Sequence, residues 1–161
     1  MTVPKSRRNE ARTEYVEQAT ALASTVGQIC SRLPKRWSFT RTQYILKAAN
    51  SVMENAVRAN AIYATNRAEE DVRMRHLIEA LSSVYVLVAY LDQIAEDQPM
   101  RPCDAGKPQE EQSPCVSDGL FTEAAMRCQS CINLLKAVIR SDRRRWSMKR
   151  PVRRTSSRRS A

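Results

Sequence analysis

Apolar residues recurring at alternating steps of three and four constrain this chain more than any other feature. Between Asn9 and Leu33 they fall at Tyr15, Val16, Ala19, Leu22, Val26, Ile29, Cys30 and Leu33, which is one face of an α-helix. The same rhythm returns three times. It predicts a second helix from about Arg41 to Thr65, with Tyr44, Ile45, Ala48, Ala49, Val52, Met53, Ala56, Val57, Ile62 and Tyr63 inward. A third runs from about Glu69 to Glu96, and a fourth from about Phe121 to Arg144, with Ala125, Cys128, Ile132, Leu135 and Ile139 inward, joined by Cys131, Leu134 and Val138. Only three glycines, with many Ala, Arg, Glu, Leu and Gln residues, favour helix over strand on intrinsic propensity. A short first connection and a long last one then predict an all-α, up-down-up-down four-helix bundle.

The first connection is forced locally. Pro34 cannot continue a helix, and the residue before a proline is driven out of the α region. Thr40 and Gln43 have the T-x-x-Q spacing of a capping box, which would start the second helix. Asn66 and Arg67 mark the next break, and Glu69, Glu70 and Asp71 place three acids in a first helical turn, where the helix dipole favours them. Residues 97–119 hold four prolines and two glycines and read as a flexible loop. The expected organisation is a basic, disordered lead-in over residues 1–8, a bundle over 9–145 and a disordered Arg-rich tail over 146–161.

The middle of the third helix, Val84 to Leu91, is eight consecutive uncharged and mostly apolar residues. Eight helical residues cover more than two turns, so these side chains point in all directions and one bundle core cannot bury them all. Part of this helix, represented by Val84, Val86, Leu87 and Tyr90, is therefore expected at a contact with another copy of the chain. Val and Tyr also suit a buried strand, but helical periodicity continues on both sides. Glu79 and Asp92 bracket the run too tightly for a membrane span. With no apolar leader after Met1 and an odd count of five cysteines, a cytoplasmic, reducing setting is expected.

Charge is distributed unevenly. Residues 140–161 carry ten of the 27 Lys and Arg residues and one of the 17 acidic ones, so they hold nearly all of the net charge of +10. A polycationic end points to a polyanionic partner, most often nucleic acid. Candidate contacts are Lys35, Arg36, Trp37, Phe39 and Arg41 at the first corner, Arg143, Arg144, Arg145 and Trp146 at the end of the fourth helix, and Arg150, Arg153 and Arg154 in the tail. Basic side chains attract phosphates, and exposed aromatics stack on unpaired bases. The alternatives are that the aromatics cap the core and that the tail only confers solubility. Lys47, Ser51, Glu54 and Arg58 form a stripe opposite the second helix's core face, a surface for ligand or for water.

Other chemistry finds little footing. Cys128 and Cys131 form a C-x-x-C, with Cys103 and Cys115 in the preceding loop. Zinc would need closer spacing in the loop pair, a thioredoxin-like redox centre would need a βαβ setting, and both helical cysteines occupy core positions where cysteine packs as a small hydrophobe. His76 is the only histidine and is expected on the surface, and no phosphate-binding glycine loop, catalytic triad or Glu-x-x-His metal pair is present. No enzyme, cofactor or small-molecule substrate is expected.

Leu33-Pro-Lys-Arg-Trp-Ser-Phe-Thr-Arg-Thr-Gln43, Asn50-Ser-Val-Met-Glu-Asn-Ala-Val-Arg-Ala-Asn-Ala-Ile-Tyr63 and Leu134-Leu-Lys-Ala-Val-Ile-Arg-Ser-Asp-Arg-Arg-Arg145, taken together, resemble the accessory variability proteins of diversity-generating retroelements. These are small four-helix bundles, similar in turn to bundles encoded in insertions of large ribosomal RNA genes. The resemblance implies a homopentameric barrel that binds a reverse transcriptase and its template RNA, with DNA a second polyanion of the same kind, and supports mutagenic complementary-DNA synthesis without catalysing it. It implies Lys35, Arg36, Arg41, Lys47 and Arg58 as contacts. Residues 1–139 are nearly neutral, unlike the strongly basic domain of that family, and residues 97–119 are longer than its loop.

Overall fold

The structure is a computed structural model and describes residues 5–33, 35–97 and 118–148, with side chains in the first helix from Thr13 onward. The described residues contain four α-helices: α1, Lys5–Arg32; α2, Gln43–Ala61; α3, Arg67–Asp97; and α4, Asp118–Met148. No strand occurs among the described residues, and the Val84 to Leu91 run is helical throughout. α1 packs against α2 and α4, and α3 packs against the same two helices. Each helix therefore buries its apolar stripe against two others, as an amphipathic helix must.

The core follows the periodicity. Tyr15, Ala19, Leu22, Val26 and Ile29 of α1 meet Ile45, Ala49, Val52 and Ala56 of α2, Leu77, Ala80, Val84 and Leu87 of α3, and Cys128, Cys131 and Leu135 of α4 in one buried cluster. Several expected core positions lie outside it. Tyr44 and Val57 are exposed within α2, on the flank of its buried stripe, and Tyr63 is exposed because α2 ends at Ala61 rather than at Thr65 and Ile62 is already extended, with φ −85° and ψ 110°. In α4, Ala124 is buried where Ala125 was expected, and Ala125 is exposed; spacing from Cys128 by four rather than three sets the phase.

Three helix ends also differ from expectation. α1 starts at Lys5 instead of Asn9, and α4 spans Asp118–Met148 instead of Phe121 to Arg144, which carries Trp146 and Ser147 into the helix. The corner after Leu33 bends as proline requires, but the capping box at Thr40 and Gln43 is not formed. A 3-10 turn, Lys35–Trp37, and a π-helical turn, Ser38–Thr42, lead directly into α2, and a chain that is already wound needs no side-chain cap. The box forms instead at α3. Asn66 Oδ1 accepts from the Glu69 amide at 3.0 Å, and the Glu69 carboxylate accepts from the Thr65 amide at 2.7 Å and its hydroxyl at 2.9 Å. The Thr65 amide, followed by its hydroxyl, holds the Glu69 carboxyl below its ordinary range.

Val84 and Leu87, expected at a contact between copies, are fully buried in the protomer's own core. Helical geometry divides the run instead of exposing it whole: Tyr85 and Val86 are about half exposed, and Tyr90 is partly so. α3 is long and apolar enough, by length and composition alone, to cross a membrane, with a window of mean hydropathy 1.4. In this fold Leu77, Ala80, Val84, Leu87, Leu91 and Ile94 are buried against the other helices. The loop expected over 97–119 lies outside the described residues except at its two edges, as do Cys103, Cys115, Arg150, Arg153, Arg154 and the rest of the tail beyond Met148.

Candidate nucleic-acid interface

Two ion pairs locate the basic groups along the molecule. Arg41, in the turn that leads into α2, pairs with Asp97 at the end of α3. Arg73, near the start of α3, donates from Nε to Asp142 near the end of α4 at 2.8 Å. Arg73 and Asp97 are separated by roughly 36 Å of helix at 1.5 Å per residue. The first corner and the end of α4 therefore sit at opposite ends of the molecule.

At the first end, Lys35 is exposed and Phe39 is 80% exposed. Trp37 is half-buried and packs against the core, so the two aromatics divide the roles of capping and display between them. The Arg41 guanidinium lies 4.9 Å from the Trp37 ring centroid while also meeting Asp97. Arg41 is thus an orienting group as placed, and among the described side chains the display falls to Lys35 and Phe39. Phe39 is the residue to which spacing alone assigned least, because exposure at a corner leaves no periodic signal.

At the second end, Arg143, Arg144 and Arg145 are all exposed and Trp146 is half-buried. Asp142 turns the other way and is buried with Arg73, their side chains being 10% and 12% exposed. Arg73 also donates to the carbonyls of Ala59 and Ile62, satisfying the orphan acceptors at the end of α2.

Between the ends, Arg58 is held by Glu54 at 3.4 Å with both side chains more than half exposed, a pair of the kind worth about 0.3–0.5 kcal/mol. Lys47 is exposed beside a groove of about 280 Å³ between α2 and α3, lined by Tyr44, Ser51, Ser83, Val86 and Tyr90. Ser51 is not a solvent-stripe residue. Its hydroxyl meets the Ser83 hydroxyl at 3.0 Å, and Asn55 Nδ2 donates to the Ser51 carbonyl at 3.0 Å. His76, expected on the surface, is half-buried, with Nδ1 donating to Asn55 Oδ1 at 3.0 Å. Ser51, Asn55, His76 and Ser83 make a polar seam between α2 and α3. The seam was not legible in the sequence, since its members are scattered polar residues until the register of the two helices is known.

Cys30, Cys128 and Cys131 are free and buried. Burial pushes the Cys128 thiol up to about 12, with the neighbouring Cys131 adding to it, and pushes Cys30 and Cys131 up to about 11. Among the described residues no group of three or more His, Cys, Asp or Glu side chains could hold a metal ion. Because these folded pKa values lie above the ordinary thiol value of 9.0, the three thiols contribute stability that is complete below pH 9 and is lost as pH rises through about 11–12. Thiol titration with a disulfide reagent at pH 8 is therefore expected to label all three only after the chain is unfolded. Rapid labelling of any of them in the native protein would contradict their burial.

No family model, curated protein or solved structure matches the chain.

Proposed function

We propose that this protein is a non-enzymatic, nucleic-acid-binding accessory of a retroelement reverse transcriptase, holding the polymerase and its template RNA together during mutagenic complementary-DNA synthesis. Its unit is an up-down-up-down bundle, and several copies assemble, five by the family resemblance. The observation that carries the reading is Phe39, 80% exposed beside exposed Lys35 and the Trp37–Arg41 stack. An apolar ring presented to solvent among cations suits base stacking beside phosphates. Tyr85 and Val86, each about half exposed on a helix whose inner face is already buried, support contact between copies. Val86 and Tyr90 remain the contact residues of the reading, and Val84 and Leu87 support them from the core.

Light scattering of the purified chain, alone and with its reverse transcriptase and template RNA, tests the assembly. A multiple of 18.3 kDa for the chain alone, and a ternary complex on mixing, are the expected results. A monomer that retains neither partner contradicts the reading.

A second reading has its own observation. The α2–α3 groove, with Tyr44, Val86 and Tyr90 on its walls and the two tyrosine rings 6.4 Å apart, suits a protein partner and no nucleic acid. Polymerase binding that persists at high salt, with no RNA retained, is the result that reading requires.

A further inference from the structure

α3 carries four of the nine large hydrophobic side chains exposed among the described residues, Val72, Ile78, Tyr85 and Val86, while α1 carries none. On the outer side of α3, Arg75, Ile78, Ser82, Tyr85, Ala89 and Glu96 follow one another at helical spacing, and all six are exposed. A helix returns to one face every three or four residues, so they form a line about 30 Å long at 1.5 Å per residue. Residues 80–91 hold no charged residue. The charges of the line therefore stand at its two ends.

Those ends are opposite in sign. Lys136 of α4 lies over the Tyr85 ring at 5.5 Å, which sets that side of α4 beside the line. Arg140 and Arg143 follow Lys136 by one and two turns on the same side, and both are exposed. With Arg75 they make the start of the face cationic, since Asp71 and Glu79 offset only part of their charge. At the far end Asp92 and Glu96 are exposed, and Asp97 already holds Arg41. Arg75, Arg140, Asp92 and Glu96 have no hydrogen-bond or ion-pair partner among the described residues. A face that is apolar in the middle, cationic at one end and acidic at the other is complementary to its own copy turned end for end.

We infer that a second copy of this chain covers the face, related to the first by a two-fold axis that crosses α3 between Tyr85 and Val86. The two α3 helices run antiparallel. Arg75 of each copy lies opposite Glu96 of the other, and Ser82 of each lies opposite Ala89 of the other, where small side chains let the helices approach closely. This rests on the assembly part of the reading above and gives it a face and a symmetry. Copies meet in pairs, whereas the five of the family resemblance need a head-to-tail contact. A contact along one helix is at the small end of specific interfaces, so association in the micromolar range is expected.

Sedimentation equilibrium of the full-length chain over about 1–100 μM, combined with charge reversal, tests the pairing. The chain is expected to reach twice 18.3 kDa. Arg75→Glu with Arg140→Glu makes both ends of the face acidic, and Asp92→Lys with Glu96→Lys makes both basic. Each variant is expected to self-associate about 10-fold more weakly. An equimolar mixture of the two is expected to recover the pairing, because every acidic end then meets a basic one. Helical circular dichroism reports whether each variant is folded. Weakened variants that do not recover on mixing overturn the antiparallel arrangement, and reversals without effect overturn the face. A five-copy mass overturns the pairing and leaves the assembly reading standing, while a monomer at every concentration overturns both.

Discussion

Arg73→Met is expected to cost about 3–5 kcal/mol of folding stability, the penalty for leaving a buried charge without its partner. Asp142 is the charge left behind, with a side chain 10% exposed, and Arg73 is 12% exposed. The same substitution removes the donor that serves the Ala59 and Ile62 carbonyls at the end of α2, so three helices loosen at one point. Replacing both partners, Arg73→Met with Asp142→Leu, is expected to recover most of the loss, because a well-packed apolar pair has no charge to desolvate. Urea denaturation followed by circular dichroism, at fixed protein concentration since oligomers unfold by mass action, measures both. A loss below about 1 kcal/mol for Arg73→Met would place the pair with ordinary surface ion pairs and remove it as the bolt between α2, α3 and α4.

Stopping the chain after Met148 is expected to flatten the salt dependence of RNA affinity by up to about four units of log affinity per unit of log salt. Six Lys and Arg residues lie beyond that point, and each phosphate neutralised on a single strand contributes about 0.7 to the slope. The site of truncation matters. A stop after Ser141 would delete Asp142 together with the last two turns of α4, so a change in binding would be mixed with a loss of folding. After Met148 the helix is whole and Arg143, Arg144 and Arg145 remain, so residual binding with a shallower slope is expected. An unchanged slope would leave the tail without an electrostatic role.

The fold was legible wherever burial follows a single helix's own period. The α1 face from Tyr15 to Leu33 is buried almost as spaced, because every third or fourth residue of a helix shares a face whatever lies opposite. Legibility failed where the answer depends on a neighbour. Val84 and Leu87 could not be told from Tyr85 and Val86 within an unbroken apolar run until α2 and α4 showed which side is inward. Arg73 and Asp142 are 69 residues apart, a separation that no spacing argument reaches. The cap of α3 was missed for a nearer reason: Asn66-x-x-Glu69 carries the capping-box spacing as clearly as Thr40-x-x-Gln43 does. Only the backbone before each distinguishes them, extended at Ile62 and already helical from Lys35.

The candidate site was legible in composition and not in arrangement. Lys35, Arg36, Arg143, Arg144 and Arg145 read as cationic from the sequence, whereas the engagement of Arg41 by Trp37 and Asp97, and of Arg58 by Glu54, emerged only from the folded chain. Charge marks an affinity for polyanions, and geometry decides which cations are left to exercise it.

Binding of a labelled single-stranded RNA to the full-length chain tests the central claim most directly. The account predicts a dissociation constant of about 10⁻⁴ to 10⁻⁶ M or tighter at roughly 0.15 M salt, strengthening steeply as salt is lowered. No binding at about 50 mM salt, where counterion release favours the complex most, would contradict it.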